Sequence, residues 1–496
     1  MRSRLLLILV VSLAVVLYGC GSSSSSNTPT ETTDVERSVY YPENLTVTSP
    51  LVAAAPVTSE SRAVSSFSDQ LSTITTMLSA GAITACSFDP SLFLNVAVNA
   101  NCYGPQMQYF DHQDSPSDAD GTLPTGDLGM WTENEGATTE ACSAAQMNAR
   151  MDGVSNKSHA AFTAMASMIC VNFVGGHGIP SNSTNDILTD MNTMATSTSM
   201  SATFTTATIA HSTVGTQEEF VYTLEYSYTA PDTTVYPMEM IVTHRSSSSG
   251  DYTGRFQYKF DQDGNGGNCP TVGADRPQTL AGSVLYARTG TQFSIDARYA
   301  SFCGNSATGF VSGVVDPSDK YNATTNTDGW ADNFNRFVAS FNETTYLGDY
   351  TYSWQAGHGD SNTRVLNINV AEHSTDPVLV GDAWFGYGDD METTDNSIGG
   401  FICNWAGPGN SHTYSNLVQF QELEQDATTN TFETTSSYIT YAPAVSCDDT
   451  DNDFYYDTDA DGDMSDETTT ENITNNLRPL TEYTSGFTVP TPPSNF

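Results

Sequence analysis

An acidic run near the C-terminus of this sequence concentrates the residues best suited to chemistry. Residues 448–467 read DDTDNDFYYDTDADGDMSDE, and four aspartates occupy alternate positions around Gly462. Calcium takes about six to eight oxygen ligands, and alternate side chains of a loop that turns sharply at a glycine converge on one ion. The run therefore predicts a calcium site. Its central aspartates are Asp457, Asp459, Asp461 and Asp463.

The spacing of these aspartates resembles the EF-hand loop and the aspartate-rich calcium repeats of thrombospondin type 3 and dockerin-like segments. The resemblance implies that the first three are ligands one, three and five and that Asp463 contributes its backbone carbonyl. Thr468 stands where the family has its bidentate glutamate, so Asp466 or Glu467 would have to replace that ligand. The alternative is a disordered acidic linker, because crowded carboxylates repel one another when no cation is bound.

The N-terminus is typical of a removable secretory leader. Two arginines precede an apolar run over residues 5–17, and the sequence LYGC follows at residues 17–20. This arrangement resembles the lipobox of bacterial lipoproteins. The resemblance implies removal of residues 1–19 and acylation of Cys20. The alternatives are an ordinary secretory leader with an incidental cysteine, or an uncleaved anchor helix.

The residues after Cys20 bear on the cellular location. Gly21 and Ser22 follow with no aspartate, and the lipoprotein resemblance then implies release to the outer membrane, on its periplasmic or cell-surface face. Residues 20–33 are rich in serine and lack large apolar side chains, which predicts a flexible tether behind the lipidated cysteine. The membrane is thus an expected partner, through the lipid anchor.

The charge balance limits the remaining partners. The chain has 58 acidic and 16 basic residues and a net charge of −42 at pH 7. Such a surface repels nucleic acid and attracts cations, so no nucleic-acid partner is expected. The acidity alternatively serves solubility alone. A protein or glycan partner is not identified by composition.

Cysteine usage agrees with export. Eight cysteines remain when Cys20 is set aside for lipid, and in an oxidising compartment they predict four disulfides, with sequential pairing as the expected order. They are Cys86, Cys102, Cys142, Cys170, Cys269, Cys303, Cys403 and Cys447.

Residues 34–200 are predicted to form a helical and loop-rich region. Residues 139–151 and 159–171 have helix-forming, alanine-rich compositions. Cys142 and Cys170 each stand 14 residues from Asn156. A helical hairpin that turns near Asn156 would place the two cysteines side by side, which predicts a disulfide between them. A short third helix is predicted over residues 186–196, with one apolar face.

Residues 201–446 change to a period of two. In residues 219–229 aromatic and apolar side chains alternate with polar ones, as in a strand with one buried face. Gly, Asn and Asp clusters separate further runs of this kind, and no crossover helix intervenes, so neighbouring strands should pair antiparallel. The predicted strands are 238–244, 255–260, 284–287, 292–301, 336–341, 350–356, 365–370, 383–387, 401–405, 417–423 and 437–441.

The predicted fold class is therefore α+β and mostly β. It consists of a large antiparallel β-meander with the N-terminal helical region packed on it. The pattern leaves open whether the sheet is open, sandwiched or barrel-like. The acidic segment 447–471 and a proline-containing tail, 472–496, follow the β domain.

Two classes of function remain open. Sequence motifs of nucleotide-binding loops, zinc proteases and serine hydrolases are absent, and the eight histidines are scattered. The favoured interpretation is a non-enzymatic lipoprotein that uses calcium for structure or adhesion. The alternative is an exported hydrolase or polysaccharide-active enzyme whose site is assembled from distant loops. The tryptophans of the β region suit either a sugar-binding face or, more simply, core packing.

Overall fold

A computed structural model describes the central sheet, the helices on it and part of the C-terminal region. The leader, Cys20, the tether and the aspartates and glutamate of the predicted calcium site lie outside the described residues. So do Cys102, Cys269 and the predicted strand 437–441. The described residues are 81–94, 139–247, 250–261, 278–303, 330–355, 363–388, 396–400, 402–404, 413–414, 417–434, 446–447, 454–455 and 477–494.

One antiparallel sheet of 14 strands dominates the molecule. Strands β1 to β11 lie side by side in chain order, followed by β14 and β15, and β18 pairs with β14. The predicted antiparallel meander is confirmed, and the sheet is open. Its strands are β1 Thr184–Asp186, β2 Ala202–Val214, β3 Gln217–Thr229, β4 Val235–Ser246, β5 Tyr252–Asp261, β6 Gln278–Thr289, β7 Gln292–Cys303, β8 Trp330–Asn342, β9 Gly348–Gln355, β10 Thr363–Glu372, β11 Leu379–Gly388, β14 Leu417–Gln425, β15 Phe432–Thr434 and β18 Leu477–Pro479.

Four short strands form two further two-stranded sheets. They are β12 Ile402–Asn404 with β13 Thr413–Tyr414, and β16 Ser446–Cys447 with β17 Phe454–Tyr455. The strand predicted over residues 401–405 therefore forms, but it belongs to a separate sheet. The period-two pattern predicts a strand and leaves its neighbour undetermined.

The predicted alternation has the expected physical basis. In β3, Phe220, Tyr222, Leu224 and Tyr226 are buried, and the residues between them are half-buried. Successive side chains of a strand point to opposite faces, so these four residues lie on the same face of the sheet. That face carries the main core and is called the helix-side face below. The other face is called the distal face.

Helix α1, Cys142–Val174, covers the helix-side face. Phe162 packs edge-to-face on Phe256 and Tyr286, with ring centroids 5.6 and 5.9 Å apart. Many neighbouring helix positions are alanine or serine, whose small side chains let the helix approach the sheet closely. Residues 159–171 of the helix are buried at nearly every position.

The predicted helical hairpin is wrong, and the Cys142–Cys170 disulfide is wrong with it. The two cysteines lie 28 residues apart in one continuous helix, which separates them by about 42 Å at about 1.5 Å per residue. Gly153 lowers helix propensity, but burial of the helix against the sheet outweighs that cost.

Cys170 instead bonds to Cys86, with a Cα–Cα distance of 5.4 Å. Sequential pairing of Cys86 with Cys102 is therefore wrong as well. Cys86 ends the 3₁₀-helix η1, Ile83–Cys86, which packs on α1 together with η2, Leu92–Leu94. Cys142 is also disulfide-bonded. The side chains of Cys303, Cys403 and Cys447 lie outside the description.

Two shorter helices complete the described elements. Helix α2, Leu188–Thr198, confirms the third predicted helix, and its Met191 and Met194 are fully buried beside Ile187. Helix α3, Leu480–Gly486, lies in the region predicted as a tail and, with β18, packs on β14. Among the helices within the described ranges, none is long and apolar enough to cross a membrane.

Candidate functional site

An open acidic groove lies on the distal face near the C-terminal end of the sheet. Asp382 on β11 and Glu422 on β14 are directly opposite each other across the strand pair. Helix α3 contributes Glu482 and Ser485, and β18 contributes Arg478. These five residues are called the acidic groove, and the depression they line has a volume of about 440 Å³.

Two aromatic rings form the floor of the groove. Trp384 and Phe420 are also directly opposite each other, two residues along from the acidic pair, so all four side chains share one face. Their ring centroids are 4.4 Å apart, and the two residues are only 5% and 6% exposed. The Arg478 guanidinium stacks 5.1 Å from the centre of the Phe420 ring. The rings therefore support the groove and leave little area for a ligand to stack on.

The electrostatics of the groove favour a positively charged partner. Partial burial raises the pKa of the Asp382 carboxyl, and the neighbouring Glu422 raises it further, while Arg478 opposes the shift. Like charges directly opposite on adjacent strands repel each other. A cation or an amine bound between them would relieve that repulsion.

The row of polar residues continues across two more strands. Asn369 on β10 is directly opposite both Asp382 and Asp349 of β9, and its side-chain amide donates to Asp349 Oδ1 at 2.6 Å. Burial raises the pKa of Asp349, and the bond from Asn369 acts in the opposite direction. Four neighbouring strands thus contribute acidic or amide side chains to one row that ends in the groove.

A second charged cluster lies on the distal face of β3 to β5. Glu239 and Lys259 are opposite each other, with Lys259 Nζ 3.5 Å from Glu239 Oε2, and both side chains are almost fully buried. Burial raises the pKa of Glu239 to about 7, and Lys259 opposes this while the adjacent Glu225 adds to it. Glu239 is therefore a carboxyl group that changes its charge near neutral pH.

The residues predicted for lipidation and for calcium binding stay predictions. Cys20 and the six acidic residues of the predicted calcium site all fall outside the described ranges. Within those ranges, no group of three or more His, Cys, Asp or Glu side chains is arranged to hold a metal ion.

Sequence reasoning missed the acidic groove. The available signal was one acidic residue at a polar position of each strand: Asp382 in GDAWF, residues 381–385, and Glu422 in QELEQ, residues 421–425. That signal does not say which strands are neighbours. The register of β11 on β14, together with a helix from the far C-terminus, assembles the groove.

In the described structure, acids are paired with His177, His211 and His373; two of these pairs join neighbouring elements, and the third lies within one turn. One pair links the loop after α1 to α2, one lies at the end of the β2–β3 hairpin, and one lies in the β10–β11 turn. Such pairs orient a histidine, but general-base catalysis also needs a reacting group within reach. The N–O distances are 2.7 Å for His177 and Asp190, 2.5 Å for His211 and Glu218, and 3.3 Å for His373 and Asp376.

The tryptophans with described side chains serve packing. Trp384 belongs to a buried cluster with Val418, Phe420 and Tyr483. Trp354 is half-buried and stacks with the Arg364 guanidinium, 4.5 Å from the ring centre. Both contacts agree with the simpler of the two sequence interpretations. The side chains of Trp330 and Trp405 lie outside the description.

The amino-acid sequence matches no family model and no curated protein, and the fold matches no solved structure.

Proposed function

We propose that this chain is an exported, lipid-anchored protein of the outer membrane that binds a cationic ligand or partner without transforming it. In this proposal Cys20 carries the lipid, and residues 448–467 bind calcium. The observation that carries the binding function is the acidic groove, in which Asp382 and Glu422 face each other beside Glu482 on an open surface.

The shape of the groove supports binding over catalysis. Sites for small molecules are usually enclosed and mostly apolar, with few polar groups. The acidic groove is wide and polar, which suits contact with a positively charged segment of a larger partner. The Cys86–Cys170 disulfide supports export, because disulfides persist in oxidising compartments.

Lipidation is tested by labelling cells that express the full chain with a radioactive fatty acid. We expect label in the wild-type protein, partition into detergent, and loss of both in Cys20→Ser. Ser22→Ala is the matched control and should retain the label. Equal labelling of wild type and Cys20→Ser would overturn the anchor.

Calcium binding is tested by calorimetry and thermal melting of the mature protein in detergent. We expect a saturable heat and a rise in melting temperature with calcium, both lost when Asp459→Ala and Asp461→Ala are combined. Combining Glu372→Ala with Glu433→Ala removes the same charge elsewhere and should leave both signals intact. No binding heat in the wild type, or an equal loss of heat and melting shift in both double variants, would mean that residues 448–467 are an acidic linker without a calcium site.

The groove itself is tested with a lysine-rich peptide as the probe. We expect the peptide to bind at low salt and to weaken as ionic strength rises. Asp382→Asn combined with Glu422→Gln should reduce the affinity at least about tenfold, in line with the coupling between close charges at interfaces. Equal affinity of the wild type and this variant for the peptide would show that the acidic groove is not the binding site.

One observation favours the enzymatic alternative, a polysaccharide-active hydrolase. Asp382 and Glu422 are paired carboxyl groups, and the pKa of Asp382 is raised. Glycoside hydrolases use two carboxyl groups whose environments separate their pKa values. Release of reducing sugar from a polysaccharide by the wild type, abolished in Asp382→Asn, would replace the binding function with this one.

A further inference from the structure

A buried polar cluster lies on the distal face where helix α3 and residues 396–400 cover the sheet. Thr351 and Ser353 on β9 and Asn367 on β10 are each 0% exposed, Asn396 is 1% exposed, and Tyr483 of α3 is 3% exposed. Thr351 and Asn367 are directly opposite each other in the strand pair. These five residues are called the polar cluster.

Hydrogen bonds connect the polar cluster to both covering segments. Asn367 Nδ2 donates to the Asn396 carbonyl at 3.2 Å and to Tyr483 Oη at 2.8 Å. Ser353 Oγ donates to Asn396 Oδ1 at 2.6 Å, and the Ile398 amide donates to Tyr483 Oη at 3.2 Å. These bonds join β9, β10, α3 and residues 396–400.

Three atoms of the cluster have no hydrogen-bond partner among the described residues. They are Thr351 Oγ1, Asn367 Oδ1 and Asn396 Nδ2. A buried polar atom without a partner is rare in native proteins, and three such atoms on neighbouring buried residues are a larger departure. The cluster therefore has unused hydrogen-bonding capacity in a fully buried place.

Reversing the side-chain amides does not remove these unpaired atoms. A reversed Asn367 would turn its oxygen toward the Asn396 carbonyl and lose a bond that it now donates. A reversed Asn396 would still bond to Ser353 but would leave its oxygen unpaired in place of its nitrogen.

The chemistry of the three atoms identifies the ligand class. Asn367 Oδ1 only accepts, Asn396 Nδ2 only donates, and the Thr351 hydroxyl does both. A metal cation would meet the amide hydrogens of Asn396, and an anion would meet the Asn367 carbonyl oxygen. Water both donates and accepts, and buried waters typically make about three hydrogen bonds.

We propose that the polar cluster binds one internal water molecule. The water donates to Asn367 Oδ1, accepts from Asn396 Nδ2 and bonds to the Thr351 hydroxyl. The water links residues 396–400 to the sheet. It also stabilises the position of Asn367, which bonds to Tyr483 of α3. Helix α3 carries Glu482 and Ser485 of the acidic groove. The site does not depend on the proposed function.

Thr351→Val is the test, because the sign of its effect separates the two cases. If the water is bound, valine removes one of its three partners, and we expect the Ile398 amide to exchange its hydrogen about 5- to 30-fold faster, as for the loss of about 1–2 kcal/mol. If no water is bound, valine replaces an unpaired buried hydroxyl with a methyl group, and exchange should be unchanged or slower.

Two controls and a second measurement keep the test decisive in the mature protein. Thr351→Ser retains the hydroxyl and should exchange like the wild type, and Thr223→Val, on the distant strand β3, should not affect Ile398. A high-resolution crystal structure should show a water peak about 2.6–3.2 Å from all three atoms. Unchanged or slower exchange in Thr351→Val, or no such peak, overturns the proposal.

Discussion

The two faces of the sheet are held to their covering segments by different forces. On the helix-side face, α1 buries Phe162 among aromatic rings, in a large core whose buried side chains are mostly apolar. On the distal face, α3 buries Tyr483 beside a small apolar cluster and the hydrogen-bonded polar cluster. The same sheet therefore carries one large, mostly apolar contact and one small contact that is partly apolar and partly hydrogen-bonded.

The helix-side face mainly stabilises the fold, and the distal face mainly sets the position of its covering segments. Apolar burial contributes about 25 cal/mol per Å² and has no direction, so the helix-side face supplies most of the stabilisation. Hydrogen bonds add only about 0.5–1.5 kcal/mol each, but they require one geometry. The polar cluster thus determines where α3 lies, and α3 forms one wall of the acidic groove.

The largest expected effect comes from a change in the apolar core of the helix-side face. Phe162→Ala removes a ring packed on Phe256 and Tyr286, and truncation of a buried phenylalanine typically costs about 3–5 kcal/mol. Denaturant unfolding should show this loss. Ile179→Ala, at a residue 46% exposed, is the control and should change stability little. Similar small losses in both variants would mean that α1 does not provide the main core.

The next effect concerns the covalent link on the same face. Cys86→Ser combined with Cys170→Ser removes a crosslink that spans 84 residues. Loss of a native disulfide typically costs about 2–5 kcal/mol, chiefly because the unfolded chain gains freedom. Unfolding midpoints of the wild type and the double variant measure this. Cys86→Ser alone should give an unreduced digest in which Cys170 is free, and Cys170 found bonded to Cys142 would contradict the pairing.

A third effect appears only as a pH dependence on the distal face. The pKa of Glu239 is about 7 in the folded protein, against an ordinary 4.5. Between pH 4.5 and pH 7 the Glu239 carboxyl is therefore protonated in the folded state and ionised in the unfolded state. The stability that this proton gives the folded state is fully present below about pH 4.5 and is lost as pH rises through 7.

Glu239→Gln should remove this dependence. We expect wild-type stability to fall relative to the variant by about 2 kcal/mol between pH 5 and pH 8. Glu372→Gln changes an exposed carboxylate and should follow the wild-type pH profile. A difference between wild type and Glu239→Gln that stays constant over this range would show that Glu239 does not titrate there.

The smallest effect comes from a change in the polar cluster of the distal face. Tyr483→Phe keeps the ring but removes the hydroxyl that bonds Asn367 and the Ile398 amide, which should cost about 1–2 kcal/mol. We expect faster hydrogen exchange at Ile398 and weaker binding of the lysine-rich peptide. Tyr228→Phe, at a half-buried tyrosine of β3, should leave both unchanged. Equal hydrogen exchange at Ile398 in the wild type and Tyr483→Phe would show that the polar cluster does not hold α3 in place.

Local patterns predicted the elements better than their partners. The alternation around Phe220 and Tyr222 predicted β3 and its buried face, because a period of two is a property of the strand itself. The apolar stripe of Met191 and Met194 predicted α2 in the same way. The hairpin near Asn156 failed, because continuing a helix through weak helix formers depends on burial against the sheet.

The sequence alone determined the mostly β class, the antiparallel pairing of neighbouring strands and the buried face of β3. Its predictions of an anchor at Cys20 and a calcium site at Asp457 to Glu467 rest on resemblance and stay predictions. The tertiary structure decided that Cys170 meets Cys86, that Asp382 faces Glu422, and that Tyr483 reaches Asn367 across 116 positions of sequence. Such contacts depend on strand register and helix docking, which arise from the packing of the whole chain and leave no mark in any short stretch of it.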